Sequence, residues 1–208
     1  GHAAIYIGWE LSGWNFNMKG LHIWGNPSTA NNEWKKISSR IKSLIFKLDK
    51  FPAYKLTDGF MFQKLYDKIN NGEYDFIDGY TNSIFLLANY LKKEKKYLSK
   101  KLDLVLTTAE NLQDYQREII EKYLGPVYDF YGCSEINGIA SECKYCKKYH
   151  IIDSHVYIEY EDRKNGNVDS NILITDLDNY SFPLIRYKND DLVVKSTSKN
   201  ICSLPFSS

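Results

Sequence analysis

The sequence predicts an α/β fold: a βαβ-type sheet flanked by helices, followed by a mainly antiparallel β region. Three observations carry that expectation. Residues 75–131 read strand, helix, strand, helix, strand, the pattern of parallel strands joined by crossovers. Residues beyond His150 break into short apolar runs separated by turn residues. An apolar fraction of 43% in 208 residues is enough for a buried core in one large domain or two small ones. The α/β part is expected over 1–131 and the mainly β part over 132–208.

The elements follow in order. Residues 3–9 are apolar and fit either a strand or the end of a helix. Residues 21–24 form a short buried strand, and Asn26-Pro27-Ser28 a turn. Trp34, Ile37, Ile41, Leu44, Ile45 and Leu48 share one face of a helix from Asn32 to about Lys50, capped by Asn31 or Asn32 and ended by Phe51-Pro52. A second helix spans 58–71 with Phe62, Leu65, Tyr66 and Ile69 inward and Gly72 as its cap. Residues 75–78 are a strand that turns at Gly79. Thr81 or Asn82 caps a third helix through Ile84, Leu87, Ala88 and Leu91. Its end, residues 92–96, is basic and suits either a solvated helix end or an anion site. Residues 102–106 are a strand, Asn111 starts a fourth helix, Gly125-Pro126 stops it, and 127–130 is the next strand. Further strands are expected at 151–152, 156–160, 172–175, 184–187 and 192–194. Turns separate them at 165–167, 178–179 and 189–191.

Charge excludes some functions. Charged residues are 25% of the chain but balance to +1, without the basic excess of a nucleic-acid or membrane-surface binder. No apolar run approaches the ~18 residues of a membrane span. No secretory signal is visible at the start. The four cysteines include a Cys-x2-Cys pair, which in such a chain reads as a metal or redox motif and points to the cytoplasm. The start lacks Met, and the chain is expected to be part of a longer one.

Two clusters could carry chemistry. Glu110, Glu135 and Asp191 follow or flank strands at turns. In parallel sheets ligands sit beyond the carboxyl ends of the strands, where a carboxylate can hold Mg2+ or accept hydrogen bonds from ribose hydroxyls. The same acids also suit plain surface turns. Cys143, Cys146 and His150 offer three ligands on one tight loop, suited to tetrahedral zinc, with Cys202 as the remaining cysteine outside the loop at Cys133. Reduced surface cysteines beside a strand-starting His150 are the alternative. His155 is a spare ligand candidate.

The motifs add to this. Tyr131-Gly132-Cys133-Ser134-Glu135 resembles the Tyr-Gly-x-Thr/Ser-Glu signature of the adenylate-forming (AMP-binding) superfamily, and Thr107-Thr108-Ala109-Glu110 its preceding Gly-Ala-Glu loop. Residues 184–192 resemble its Pro-x-Ile-Arg-Tyr-Arg-Thr-Gly-Asp-Leu stretch. Within the superfamily the chain is most similar to phenylacetate–CoA ligase and its capsular polysaccharide biosynthesis relatives. Their Glu-Cys…His-Ile segment is mirrored by Glu142-Cys143…His150-Ile151, and their Ile/Phe-Thr-x-Leu by Ile174-Thr175-Asp176-Leu177. The resemblance spans about 75–202, with a weaker likeness at Ile23-Trp24-Gly25.

It implies part of the superfamily's large N-terminal domain. Ala109, Glu110, Tyr131 and Gly132 would line the adenine and acyl-adenylate site, and Asp191 would bind the ribose. Ser134 would touch the α-phosphate, Glu135 would help hold Mg2+, and Tyr80 would wall the acid pocket. It implies a ligase that uses ATP to turn an aryl or acyl acid into an acyl-AMP, for transfer to CoA or another acceptor. Cys202 also resembles a cysteine of a Cys-x-Cys-Gly segment that follows the ribose-binding Asp in those ligases. Departures are plain: the phosphate loop and the C-terminal lysine domain are not in the chain, and Asn189-Asp190 replaces Thr-Gly. The chain alone is therefore expected to bind nucleotide poorly and not to turn over. A small carboxylic acid and CoA are the expected partners, without nucleic acid or membrane, and a homodimer is among the assemblies allowed. The alternatives are a degenerate relative without ATP binding and a non-catalytic, zinc-stabilised binding module.

Overall fold

The computed structural model describes residues 2–25, 47–162, 169–195 and 202. The turns expected at 26–28 and 165–167, and the expected helix up to residue 46, lie outside the described residues. The chain forms a seven-stranded sheet of order β2 (Leu48–Pro52), β1 (Gly20–Trp24), β3 (Phe76–Tyr80), β4 (Leu104–Thr108), β5 (Val127–Tyr131), β6 (Ala140–Glu142), β7 (Tyr149–Ile151), and a three-stranded sheet of order β10 (Tyr187–Val194), β9 (Asp169–Asp176), β8 (Val156–Asp162). It divides into two compact units, Gly13–Asp129 and Gly1–Ser12 with Phe130–Ser208, so the boundary falls inside β5, and the helix α1 (His2–Ser12) groups with the second unit.

In the first unit, β1 (Gly20–Trp24) pairs in parallel with β2 (Leu48–Pro52) and β3 (Phe76–Tyr80), and β3 with β4 (Leu104–Thr108). Residues 48–50, expected to finish a helix, are therefore strand. Leu48 satisfies the helical spacing, but pairing with β1 wins, and Pro52 is tolerated because β2 is an edge strand. Helices α2 (Gly59–Asn71), α3 (Thr81–Lys93) and α4 (Asp114–Tyr123) contribute Leu65, Ile84, Leu87, Leu91 and Ile120 to a core with Leu21, Ile23, Ile77 and Val105. Such continuous apolar burial is what parallel strands covered by helices require.

Local chemistry sets the helix ends. The Asp58 carboxylate accepts from Met61 N at 3.0 Å and caps α2. A capping box between Gln113 and Gln116 starts α4 at Asp114, three residues later than expected from Asn111. The basic run lies in the last turn of α3 and just beyond it. Lys92 and Lys93 are exposed, while Lys96 packs over the Tyr66 and Tyr90 rings at 5.6 and 5.5 Å. Gly79 does not turn the chain. It lies within β3, where a Cβ would fall 2.3 Å from the Ile23 carbonyl oxygen, so glycine lets β1 and β3 approach.

In the second unit, α1 (His2–Ser12) is a helix, which settles the open reading of residues 3–9. Its Ser12 hydroxyl donates to the Glu142 carbonyl at 2.9 Å and lies 3.0 Å from Ser141 Oγ. The end of β5 (Val127–Tyr131) pairs antiparallel with β6 (Ala140–Glu142), and β6 with β7 (Tyr149–Ile151). β8 (Val156–Asp162), β9 (Asp169–Asp176) and β10 (Tyr187–Val194) form the antiparallel sheet. The two strands expected at 184–187 and 192–194 are one strand beginning at Tyr187. The expected turn at 189–191 is instead a bulge, where the register with β9 shifts between Lys188 and Leu192 and Asp190 takes φ +61°.

Gly72 ends α2 in right-handed geometry at φ −89°, and the left-handed position falls on exposed Glu73 at φ +52°. A side chain there costs about 1 kcal/mol that glycine avoids. Glu73→Gly is expected to raise stability by roughly 0.5–1 kcal/mol, read as a higher denaturation midpoint with unchanged m-value.

Candidate nucleotide loops and metal centre

Each unit presents part of the expected site. In the first, β4 ends at Thr108 and Ala109 follows in left-handed geometry at φ +70°, a conformation that favours glycine. The loop is tied to the start of α3. Thr81 Oγ1 donates to the Glu110 carbonyl at 2.9 Å and lies 3.3 Å from the Thr108 carbonyl, and the Glu110 carboxylate accepts from Asn82 N at 2.8 Å. Glu110 thus caps α3 from outside, while the Thr81 hydroxyl, expected as a cap, turns toward the loop instead. Gln116 of α4 adds a hydrogen bond to Asn82 Oδ1 at 3.1 Å. Below the loop, buried Thr107 donates to the Asp129 carboxylate at 2.7 Å. Tyr80, at the end of β3, stacks on Trp24 at 4.3 Å between centroids.

In the second unit, Tyr131 ends β5 and the loop of residues 132–139 follows. A Cβ on Gly132 would lie 3.0 Å from Gly138 N and 3.3 Å from the Ile136 carbonyl, so the loop folds closely on its own backbone. Gly138 closes it at φ +78°. The Tyr131 hydroxyl donates to Asp191 Oδ2 at 2.5 Å, and Asn189 Nδ2 donates to both at 2.7 and 2.8 Å. Burial, reinforced by the Asp191 carboxylate, pushes the Tyr131 phenol far above its ordinary value, so it stays a donor. Tyr131 and Asp191, sixty positions apart, therefore meet. The β10 bulge supplies the third member, Asn189, which the sequence marks as a turn residue and as a departure from the motif's Thr-Gly.

Ser134 and Glu135 are exposed at the tip of this loop. Glu135 lies against Cys133 and Tyr187: burial first, and then its carboxylate, push the Tyr187 hydroxyl up. Burial also raises the Cys133 thiol, and the Glu135 side chain adds to this, which makes Cys133 a poor nucleophile at neutral pH. Under the loop, buried His155 reaches Asp178 Oδ2 with Nδ1 at 2.7 Å and the Asn137 carbonyl with Nε2 at 2.9 Å. His155 is therefore a brace for the 132–139 loop and not a spare metal ligand. Nothing in the sequence pattern singled out that role.

The cysteine cluster assembles as expected. Cys143 follows β6, Cys146 sits in the turn, His150 lies on β7, and one ligand atom from each, with Cys202, falls within 4.8 Å of the others. Cys143 and Cys202 sulfurs are 3.6 Å apart, and Cys146 Sγ is 3.2 Å from His150 Nε2. Tetrahedral zinc with ~2.3 Å bonds to sulfur would set sulfur–sulfur edges near ~3.8 Å, so the donor set and its spacing fit that ion. Burial raises the Cys143 thiol. The backbone N–H groups of Cys146 and Tyr145, with the Cys202 and Cys146 thiols, outweigh it and hold Cys143 below its ordinary value.

With this geometry in hand, solved structures supply the comparison. No family model matches the chain, and no curated protein matches it. A 2-hydroxyisobutyryl-CoA ligase in complex with 2-HIB-AMP and CoA aligns at TM-score 0.69 and 17% identity, covering 93% of this chain and 46% of that one. The amide bond synthetase McbA from Marinactinospora thermotolerans aligns at 0.55 and 12% over 84% and 36%, and MatB from Rhodopseudomonas palustris at 0.53 and 14% over 84% and 34%. The chain thus has the fold of adenylate-forming acyl-CoA ligases, as its motifs imply, and the likeness extends well ahead of residue 75. It spans less than half the length of these structures.

Replacing His155 by Leu removes the partner of the Asn137 carbonyl and of Asp178. Half-exposed Asp178 recovers water, whereas the Asn137 carbonyl loses the buried imidazole that it bonds to. His155→Leu is expected to cost about 2 kcal/mol in denaturant unfolding, and His155→Gln less.

Proposed function

We propose that the chain is part of an AMP-forming carboxylic-acid ligase of the phenylacetate–CoA ligase type. The observation that carries this reading is the meeting of Tyr131 and Asp191, from two separate motifs, in one hydrogen-bonded triangle with Asn189. In the reading, Asp191 accepts from the ribose hydroxyls and Tyr131 and Gly132 border the adenine. Exposed Ser134 faces the α-phosphate, and exposed Glu135 shares Mg2+ with the phosphates. Ala109 and Glu110 border the acyl-adenylate, and Tyr80 walls the acid pocket. The acid carboxylate attacks the α-phosphorus of ATP, pyrophosphate leaves, and the acyl-AMP then passes its acyl group to CoA or another acceptor. Positioning and charge neutralisation carry such a step, without a covalent protein intermediate. ATP and CoA are cytoplasmic reactants, in keeping with a cytoplasmic location. The whole reaction belongs to the full-length gene product, and the chain alone is proposed to be inactive.

ATP–pyrophosphate exchange by the full-length gene product, across a panel of aryl and acyl acids, tests the reading. Acid-dependent exchange that falls by about 100-fold in Glu135→Gln is expected. No exchange with any acid, together with no ATP binding by calorimetry, overturns it.

We further infer a structural zinc held by Cys143, Cys146, His150 and Cys202 that takes no part in the chemistry. Elemental analysis of protein purified without added metal is expected to give about one zinc per chain, and Cys143→Ser to lose it along with several kcal/mol of stability. A content well below that, with Cys143→Ser as stable as the parent, removes the site. Zinc without exchange would favour the zinc-stabilised binding module instead.

A further inference from the structure

Parallel pairing of β1 and β3 places His22 directly beside Asp78. Two residues further along each strand stand Trp24 and Tyr80, on the same sheet face by alternation. That face is opposite the one on which Leu21, Ile23 and Ile77 join the helices. His22 Nδ1 hydrogen-bonds Asp78 Oδ2. The His22 ring stacks on Trp24 at 5.1 Å and 16°, and Trp24 on Tyr80 at 4.3 Å and 22°. Three rings therefore form a ladder at the carboxyl ends of two parallel strands, where this class of sheet binds ligands.

One atom in this group is unsatisfied. Asp78 is 5% exposed, and its Oδ1 has no hydrogen-bond partner among the described residues. Buried carboxylate oxygens are nearly always matched by donors. His22 engages the other oxygen, so Oδ1 is an acceptor left for something else. Oδ1 itself has almost no exposed surface, so a ligand reaches it by displacing the edge of the ladder, where the His22 side chain is 24% and Trp24 39% exposed.

We propose that His22, Asp78, Trp24 and Tyr80 form a subsite for an aromatic carboxylic acid bearing a hydrogen-bond-donating ring substituent, a hydroxyl or an amino group. This rests on the acid-ligase reading and names the substrate class for it. The aromatic ring lies against the apolar wall of Trp24 and Tyr80. Its substituent donates to Asp78 Oδ1, and His22 holds the carboxylate in place through the other oxygen. The charge of Asp78 repels the acid's own carboxylate, so the ligand enters substituent first with its carboxylate directed away. Trp24 and Tyr80 give shape, and Asp78 gives selectivity, since a site built around a buried acceptor rejects analogues that lack the donor.

Calorimetry on the full-length gene product tests the subsite with para- and meta-hydroxybenzoate, para-aminobenzoate, para-methoxybenzoate and benzoate. At least one hydroxyl or amino acid is expected to bind at least about tenfold more tightly than benzoate and the methoxy acid, which accepts but does not donate. Asp78→Asn presents an amide donor in the same volume and is expected to abolish or reverse the preference between hydroxyl and methoxy acids. Equal affinity for all, or binding of none, overturns the subsite, as does a preference that survives unchanged in folded Asp78→Asn. The wild-type comparison decides even where the variant does not fold. Pyrophosphate exchange with the same acids is read separately: selective binding without exchange keeps the subsite and overturns the ligase reading.

Discussion

Parallel pairing is the constraint on which the first unit depends. Parallel strands cannot be joined by tight turns, so β3 and β4 are linked through α3, and that helix covers one face of the sheet. The pairing also brings the ends of β1, β3 and β4 to one edge. There the apolar runs give way to Trp24, Tyr80 and Thr108, and the chain turns into α3 or into the Ala109-Glu110 loop. Two polar pairs lie deeper, each matched between strands: Thr107 with Asp129, and His22 with Asp78. The strand edge is thus chemically distinct from the core for purely topological reasons. Gly79 is part of the same constraint, since a larger residue would push β3 off the β1 backbone.

The second unit solves a different problem. Its three-stranded sheet is antiparallel, and β10 is largely exposed. What disciplines it is the bulge. The register shift between Lys188 and Leu192, with left-handed Asp190, lets Asn189 and Asp191 both reach the Tyr131 hydroxyl. A regular strand would place 189 and 191 on one face at fixed spacing with Asp190 on the other. The 132–139 loop is held at three points of different chemistry: glycine geometry at Gly138, an apolar anchor in buried Ile136 and Ile139, and the His155 brace on Asn137. Only Ser134 and Glu135 at its tip, with Asn137, are left facing solvent.

Much of this was legible in the residues, for identifiable reasons. The crossover region was readable because parallel strands and their helices obey strong periodicities: β3, β4, β5, α2 and α3 all fall close to their expected places. The Cys143–His150 hairpin was readable because metal-ligand spacing is local. Three things were not. Residues 48–50 carry a helical spacing that strand pairing overrides, and no local signal reports a partner strand. The bulge in β10 looks like a turn because Asn-Asp-Asp favours left-handed backbone in both settings. The His22–Asp78 and His155–Asp178 contacts join residues far apart in sequence, so register and tertiary packing alone create them. The site motifs were recognisable as motifs, but Glu110 shows how far a motif is from a role. Its carboxylate is engaged at the N-terminus of α3, so any ligand contact it makes must compete with that bond or use its other oxygen.

The hairpin of β6 and β7 raises the last physical question, which is what stabilises it. Each strand is three residues long, and Tyr145 and Tyr149 are exposed, so the hairpin's far end contributes little apolar burial. Two-stranded ribbons of that size are marginal in water. Its near end is well anchored: Ser141 and His150 are fully buried, and Ser12 of α1 bonds to both Ser141 and Glu142. The cysteines sit where that anchoring stops. Cys143 N bonds to the Lys148 carbonyl, Lys147 N to the Cys143 carbonyl, and left-handed Lys147 reverses the chain, so the thiols and His150 converge before any ion is considered. Cys202 then joins residues 143–150 across more than fifty positions. Closing a loop of that length costs conformational entropy on folding, which a short hairpin could not offset through its own burial. A metal bond at this point would therefore act where the hairpin itself buries little, and the proposed zinc is best understood as a substitute for hydrophobic core.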